Sequence, residues 1–233
     1  MVQKARPKKT SRSQRREESL SREQIIEASI ELLDKSGEGG LTFRTLSERL
    51  FTGPGAIYWH IANKSDLLTA ACDTIIARTM TASLVSVTTG ATPQATIRLL
   101  ALALFDAIDA HPWVGSALTR SPGQSPMLRI VERIGQQLRV LGVPKKEHWV
   151  TASALLNYIL GVGGRNAANG QFARMQGLDR SDFLEAVSTA WSQLDPEEYP
   201  FVRSVAGHLR SHDDREDFLA GIDLILRGIA FRA

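Results

Sequence analysis

His208 and His212 stand four positions apart with Asp213 and Asp214 directly after them, a spacing by which two imidazoles on one helical face can hold a divalent metal. The stretch lacks the glutamate of an H-E-x-x-H motif, so no metal is expected there. The run Gly161-Val162-Gly163-Gly164-Arg165-Asn166 superficially resembles a dinucleotide loop, yet Asn166 stands where a third glycine belongs and no strand leads into it. Cys72 falls among small and apolar neighbours, a setting for packing rather than for a reactive thiolate. No nucleophile, base or paired acid completes a constellation, and the reading is a protein that is not an enzyme and needs no cofactor.

The residues that could do something else sit near the N-terminus. Residues 54–60 read Pro-Gly-Ala-Ile-Tyr-Trp-His: small side chains first, which let a helix end approach base edges, then three that can reach a phosphate backbone. Ahead of them, residues 1–20 carry Lys4, Arg6, Lys8, Lys9, Arg12, Arg15 and Arg16 against Glu17 and Glu18, while residues 21–66 hold five basic and seven acidic side chains. The basic surplus of the chain therefore lies wholly in this arm. With so little apolar surface to bury, the arm is expected to be disordered in isolation. It can neutralise phosphates or serve only as a solubilising tail, and charge alone does not choose.

Elements to position residues 54–60 follow from spacing. Ser21 and Gln24 have the separation of a capping box, and Ile25, Ile26, Ser29, Leu32 and Leu33 then share one stripe of a 3.6-residue period, predicting a helix over 21–36 that Gly37, Gly39 and Gly40 end. Thr42 caps a short second helix to Leu50, with Leu41 able to staple onto Leu46. Pro54 suits the first position of a third helix reaching Ile61, and Asn63 with Asp66 opens a fourth. Two short helices joined by a three-residue turn fit a helix-turn-helix. Tyr58 and Trp59 face different ways on such a helix, so at most one should reach DNA and Trp59 is the expected core residue.

Beyond residue 80 the periodicity stays helical and nothing alternates with period two, so the chain is expected to be all-α. Its 233 residues suffice for a sizeable core, and no apolar run approaches the roughly 18 residues of a membrane span. The single cysteine and the lack of a secretory signal point to the cytoplasm. Residues 149–164 carry no charge and predict a helix buried on most faces, and the last helix sets Phe218, Ile222, Ile225 and Ile229 on one stripe.

The string LTFRTLSERLFTGPGAIYWHIANKSDLL, preceded by IIEASIELLDKSG, resembles the DNA-binding domain of the TetR family of bacterial repressors over residues 21–69, and Tyr-Trp-His with the ending DFLAGIDLILRGI is similar to its tetracycline-repressor branch. After the arm at 1–20 read from its charge, the resemblance implies a helix-turn-helix domain at 21–69 and a larger helical ligand-binding and dimerisation domain at 70–233. It assigns Thr42 to a phosphate-contacting cap, Arg44 to base reading, Tyr58 and His60 to backbone contacts and Lys64 to the start of the fourth helix. In the turn, Phe51-Thr52-Gly53 departs from the family pattern. Either the turn differs, or Phe51 is strained in a left-handed conformation that favours glycine. Gly53 leaves an N–H free for a phosphate, and Pro54, Gly55 and Ala56 offer no side-chain hydrogen bonds, so base reading would lean on Arg44 with apolar contacts from Pro54 or Ala56.

A regulator of this type is expected to be a homodimer that represses through a palindromic operator of double-stranded DNA and is released by a small-molecule inducer. The interface is placed on helices 147–168 and 213–231, through Leu156, Leu160, Gly164, Phe218, Ile222, Ile225 and Ile229, with intramolecular core as the alternative use. Phe105, His111, Trp113, Trp149, Asn157, Tyr158, Arg165 and Asn169 are candidate ligand contacts, Asn157 foremost as a polar amide among leucines and isoleucines. The rival function is an architectural protein that binds DNA nonspecifically through its basic arm.

Overall fold

Ser21 opens the first helix, α1 (Arg22–Gly40), with a complete capping box: its Oγ accepts from Gln24 N–H at 3.2 Å, and Gln24 Oε1 accepts from Ser21 N–H at 2.8 Å. In this computed structural model residues 20–85, 90–120, 123 and 125–230 are described, so the arm, but for Leu20, lies outside the described residues. α1 turns Ile25, Ile26, Ile30 and Leu33 inward and breaks at Gly37, whose φ of +61° is open to glycine at little cost. Thr42 caps α2 (Phe43–Arg49), its Oγ1 accepting from Thr45 N–H at 3.0 Å, and the flanking Leu41 and Leu46 are both buried. Pro54 begins α3 (Pro54–Tyr58), and Asn63 caps α4 (Lys64–Val85) by accepting from Asp66 N–H at 2.9 Å.

The remaining elements are α5 (Pro93–Ala110), α6 (Trp113–Arg120), α7 (Ser125–Val140), α8 (His148–Met175), α9 (Arg180–Ser192), α10 (Pro200–Val205) and α11 (Asp214–Ala230), with 3-10 turns at Lys145–Glu147 and Ala206–Ser211. No strand occurs among the described residues, and the fold is all-α. No helix among them is long and apolar enough to cross a membrane. The chain divides into two compact units, Met1–Ala71 and Cys72–Ala233.

The core of the second unit is built on α5, whose Ile97, Leu100, Leu104 and Ile108 recur at helical spacing and meet α7, α8 and α11. Each such side chain, once buried, contributes about 1.5–3 kcal/mol. In the uncharged segment one glycine serves close approach: a Cβ at Gly163 would meet Ile108 Cδ1 at 3.2 Å, whereas one at Gly161 or Gly164 would meet nothing within 4 Å. Arg129 pairs with Asp73 at 2.9 Å, tying α7 to α4. Burial pushes the Cys72 thiol up to about 12, with Asp73 adding to the effect, so at neutral pH it packs as a protonated apolar group.

Two expectations about the dimer helices need correction. Phe218 and Ile222 are 1% and 0% exposed and belong to the core of their own subunit, Phe218 stacking on Phe105 at 4.6 Å and on Tyr158 at 5.6 Å between ring centroids. The stripe that α11 buries is Phe218, Ile222 and Leu226, four residues apart, while Ile225 and Ile229 sit on its half-buried flank. The other correction concerns α8. It is not covered on most faces: Trp149, Val150, Ala154, Asn157 and Gly161 are exposed along one side. Lack of charge marks a surface that avoids water, but it does not say whether the cover comes from the same chain.

Candidate nucleic-acid interface

α2 and α3 are only seven and five residues long, too short to be stable alone, and owe their placement to what lies beneath them. Leu46 of α2, Ile57 of α3, the following Ile61 and Leu67 of α4 are all buried, and α2 packs on both α1 and α3. Arg49 Nε donates to Glu31 of α1 at 3.0 Å, and Lys64 Nζ donates to the carbonyl of Glu38 just past the α1 kink. With the apolar side of each short helix spent on packing, its other side is left to solvent.

That outer side carries Thr42, Arg44, Gly53, Pro54, Gly55, Tyr58, His60 and Lys64, all exposed, with Ala56 half-buried among them. Gly53 makes no side-chain cap at the start of α3, which leaves orphan N–H groups at a helix end bearing no carboxylate. Arg44 Nε donates to Glu48 at 3.0 Å, one turn on, both side chains being largely in water. Such an exposed pair contributes at most about 1 kcal/mol, so a base edge can take the guanidinium from it. Tyr58 lies flat on Phe43, rings 4.4 Å apart and 6° from parallel, so that α2 steadies the aromatic that α3 presents.

Trp59 corrects the sequence reading. It is 89% exposed rather than in the core, because α3 ends at Tyr58 and Trp59 caps it from the turn, so both aromatics face outward. Glu48 and Phe43 were not among the expected residues either. The signal for Glu48 was its i+4 spacing from Arg44, with which it pairs.

The turn keeps left-handed geometry without glycine. Phe51 has φ +51° and is 98% exposed, so the ring gains nothing from packing to offset the strain. Phe51→Gly is expected to raise stability by about 0.5–1 kcal/mol, the relief of strain exceeding the extra freedom glycine has when unfolded. Denaturant midpoints of the two proteins check this, and an unchanged or lower midpoint contradicts it.

The residues proposed from sequence for a ligand are scattered. Phe105 and Trp113 are buried, His111 is half-buried beside Trp113, and Tyr158 is half-buried with its hydroxyl donating to Phe218 O at 3.2 Å. Trp149, Asn157, Arg165 and Asn169 are exposed; Asn157 in particular is no buried amide seeking a partner, because it lies on the open side of α8. Asn169 does line a cleft of about 280 Å3 between α8 and α9, with Asn166, Arg174, Leu178 and Phe183. His212 lies 2.9 Å from Asp214 and has Asp217 on its other nitrogen at the start of α11, and among the described residues no group of three or more His, Cys, Asp or Glu side chains is placed to hold a metal ion.

Two family models match the chain. Residues 25–71 match bacterial regulatory proteins of the tetR family, and residues 88–232 match the tetracyclin repressor-like C-terminal domain. A transcriptional regulator of the TetR type from Streptomyces coelicolor has a solved structure similar to this one, with TM-score 0.79, 50% identity and coverage of 91% of this chain and 98% of that one. Tetracycline repressor protein class D from Escherichia coli is 26% identical over 212 residues, 90% of this chain and 88% of its own length. An HTH-type transcriptional regulator from Saccharopolyspora erythraea is 27% identical over 67% of this chain, and the match spans 64% of that protein. ActR from Streptomyces coelicolor, solved in complex with actinorhodin, shares the fold at TM-score 0.72 and 19% identity, over 93% of this chain and 98% of that one.

Proposed function

From the premise that this chain belongs to the tetR family of bacterial regulatory proteins, we propose that it is a repressor that binds a palindromic operator as a homodimer and leaves it when a small molecule binds. The observation that carries the reading is the division of labour in α2, α3 and the residues flanking them: Leu46, Ser47, Ile57 and Ile61 are buried, and Thr42, Arg44, Pro54, Tyr58, Trp59 and His60 are left in solvent on elements narrow enough for a major groove. Arg44 reads a guanine, Pro54 and Ala56 touch thymine methyls, and Thr42, Gly53, Gly55, Tyr58, His60 and Lys64 position the unit on phosphates.

One such unit covers too little DNA to single out an operator, so a second copy is required. Its docking face is the open side of α8, where Val150 and Ala154 with Ile225, Gly228 and Ile229 of α11 line an apolar groove of about 270 Å3, flanked by the exposed Leu224. Leu156, Leu160 and Gly164, also on α8, are half-buried. An inducer of mixed apolar and polar character suits the cleft at Asn169, where the Phe183 ring and the amides and guanidinium around it offer both kinds of contact. α4 runs through the boundary between the units and is the route by which an inducer acts, provided it binds the two arrangements unequally; inverting a 1:99 population takes about 5.5 kcal/mol of differential affinity.

Selection of bound fragments from random duplex DNA, at two salt concentrations, tests the function: a palindrome with half-sites about 34–36 Å apart is expected, and an absence of sequence preference would hand the case to the architectural alternative. On the selected duplex, Arg44→Ala is expected to cost about 1–3 kcal/mol and to relax preference at one base pair of each half-site, whereas Lys64→Ala weakens all sequences alike. Fluorescence anisotropy against single-position variants of the duplex separates the two.

A further inference from the structure

The cleft between α8 and α9 holds one charged side chain that the rest of the fold does not use. Four others line it, and each is already spent. Asp109 of α5 accepts from Asn166 Nδ2 at 2.9 Å. Asp179 caps α9, accepting from Asp182 N–H at 2.9 Å and from Ser181 Oγ at 2.7 Å. Arg180 donates to Asp214 and to the carbonyl of His212, both at 2.6 Å. Among the described residues, Arg174 alone of the five has no hydrogen-bond or ion-pair partner for its side chain. That side chain turns back along α8, and its guanidinium lies over Gly170, where an added Cβ would stand 3.5 Å from Nη1. The cation is therefore about 6 Å along the helix axis from Asn166, four residues at 1.5 Å each, and about one turn from the carboxylate that Asn166 holds. Beside it the wall is apolar: Ala173 is buried, Leu178 and Leu184 are half-buried, and Phe172 meets the Phe183 ring edge-on at 6.2 Å between centroids.

We propose that this cleft takes a small aromatic carboxylate, with its anionic end on Arg174 and its ring against Phe183. A single negative charge answers the one unspent cation, and a guanidinium takes a carboxylate through two parallel hydrogen bonds. Arg174 is exposed and unpaired, so a ligand reaches it without breaking a contact of the protein. A polyanion such as a phosphate ester is disfavoured by the three carboxylates that share the cleft, and a cation would leave Arg174 uncompensated. Asp109 sets the direction of binding. Its only hydrogen-bond partner is a neutral amide, so it repels the ligand's carboxylate and turns it towards Arg174. The volume of about 280 Å3 lies at the lower end for small-molecule sites and suits a single ring system.

This chemistry deepens the inducer reading and rests on it for its regulatory consequence, but binding can be measured apart from release. In isothermal titration calorimetry of the full-length protein, indole-3-acetate is expected to bind about tenfold more tightly than indole-3-acetamide, which has the same ring and shape without the charge. R174Q is expected to bring the carboxylate down to the affinity of the amide and to leave the amide unchanged, thermal melts confirming that the variant is folded. A carboxylate that binds no better than the amide, one whose affinity R174Q leaves intact, or a protein that takes neither compound at millimolar concentration overturns the proposal. Fluorescence anisotropy on the selected duplex then separates the two readings. Release of DNA by indole-3-acetate from the native protein, and not from R174Q, supports both. Charge-selective binding without release supports the carboxylate site and overturns the cleft as the seat of the inducer.

Discussion

Replacing Ala154 and Leu224 together with glutamate is expected to yield a folded monomer that binds the selected palindrome at least about a thousandfold more weakly than the native protein. Both side chains are exposed on the chain, so four carboxylates enter the assembly without disturbing the core of either subunit. In a two-fold arrangement each of these residues meets its own kind or a near neighbour, and like charges held together in a desolvated interface cost several kcal/mol. Loss of the second copy removes one of two half-sites and leaves only what a single helix-turn-helix unit can hold, which is close to nonspecific binding. Light scattering reads the mass, circular dichroism the fold and anisotropy the affinity. A dimer that survives both glutamates would move the interface off the α8 and α11 groove.

Phe218→Ala carries the other large effect, and it falls on stability. The ring is sandwiched between Phe105 and Tyr158, and its backbone carbonyl takes the Tyr158 hydroxyl. Truncation opens a cavity at the meeting of α5, α8 and α11 and is expected to cost about 3–5 kcal/mol, a large share of the total for a domain of this size. The loss should be the same at low and high protein concentration, because the side chain is core within one subunit. A destabilisation that disappears on dilution to monomer would instead return Phe218 to the interface. Ile222→Glu, buried at the next turn of α11, is expected to unfold the second unit outright, which makes it useless as a probe of dimerisation.

What could be read without coordinates were the features set by neighbours in the chain. The Ser21–Gln24 and Asn63–Asp66 caps, the break at Gly37, after which α1 resumes to Gly40, Pro54 at the start of α3 and the helical nature of the described elements beyond residue 80 all depend on bonds and torsions spanning at most a few residues. The outward group in α2 and α3 was mostly legible for the same reason, since a short helix with two or three apolar positions has one side to bury and one to show. Trp59 was misjudged because its side depended on α3 ending at Tyr58, three residues earlier than the helix to Ile61 that the sequence predicts.

The strain at Phe51 and the uses of α8 and α11 were decided by tertiary structure. Family pattern left the turn open between two geometries, and only the packed positions of α2 and α3 force φ to +51°. A period of 3.6 residues says which side chains share a stripe, but Phe218, Ile222, Ile225 and Ile229 are close enough in angle that a small rotation of α11 chooses which of them face α5. The absence of charge from 149 to 164 announced a surface that shuns water and was silent on what covers it. Burial is a relation between distant segments, whereas capping and periodicity are properties of one segment, and the boundary between what the sequence determined and what the fold added runs along that difference.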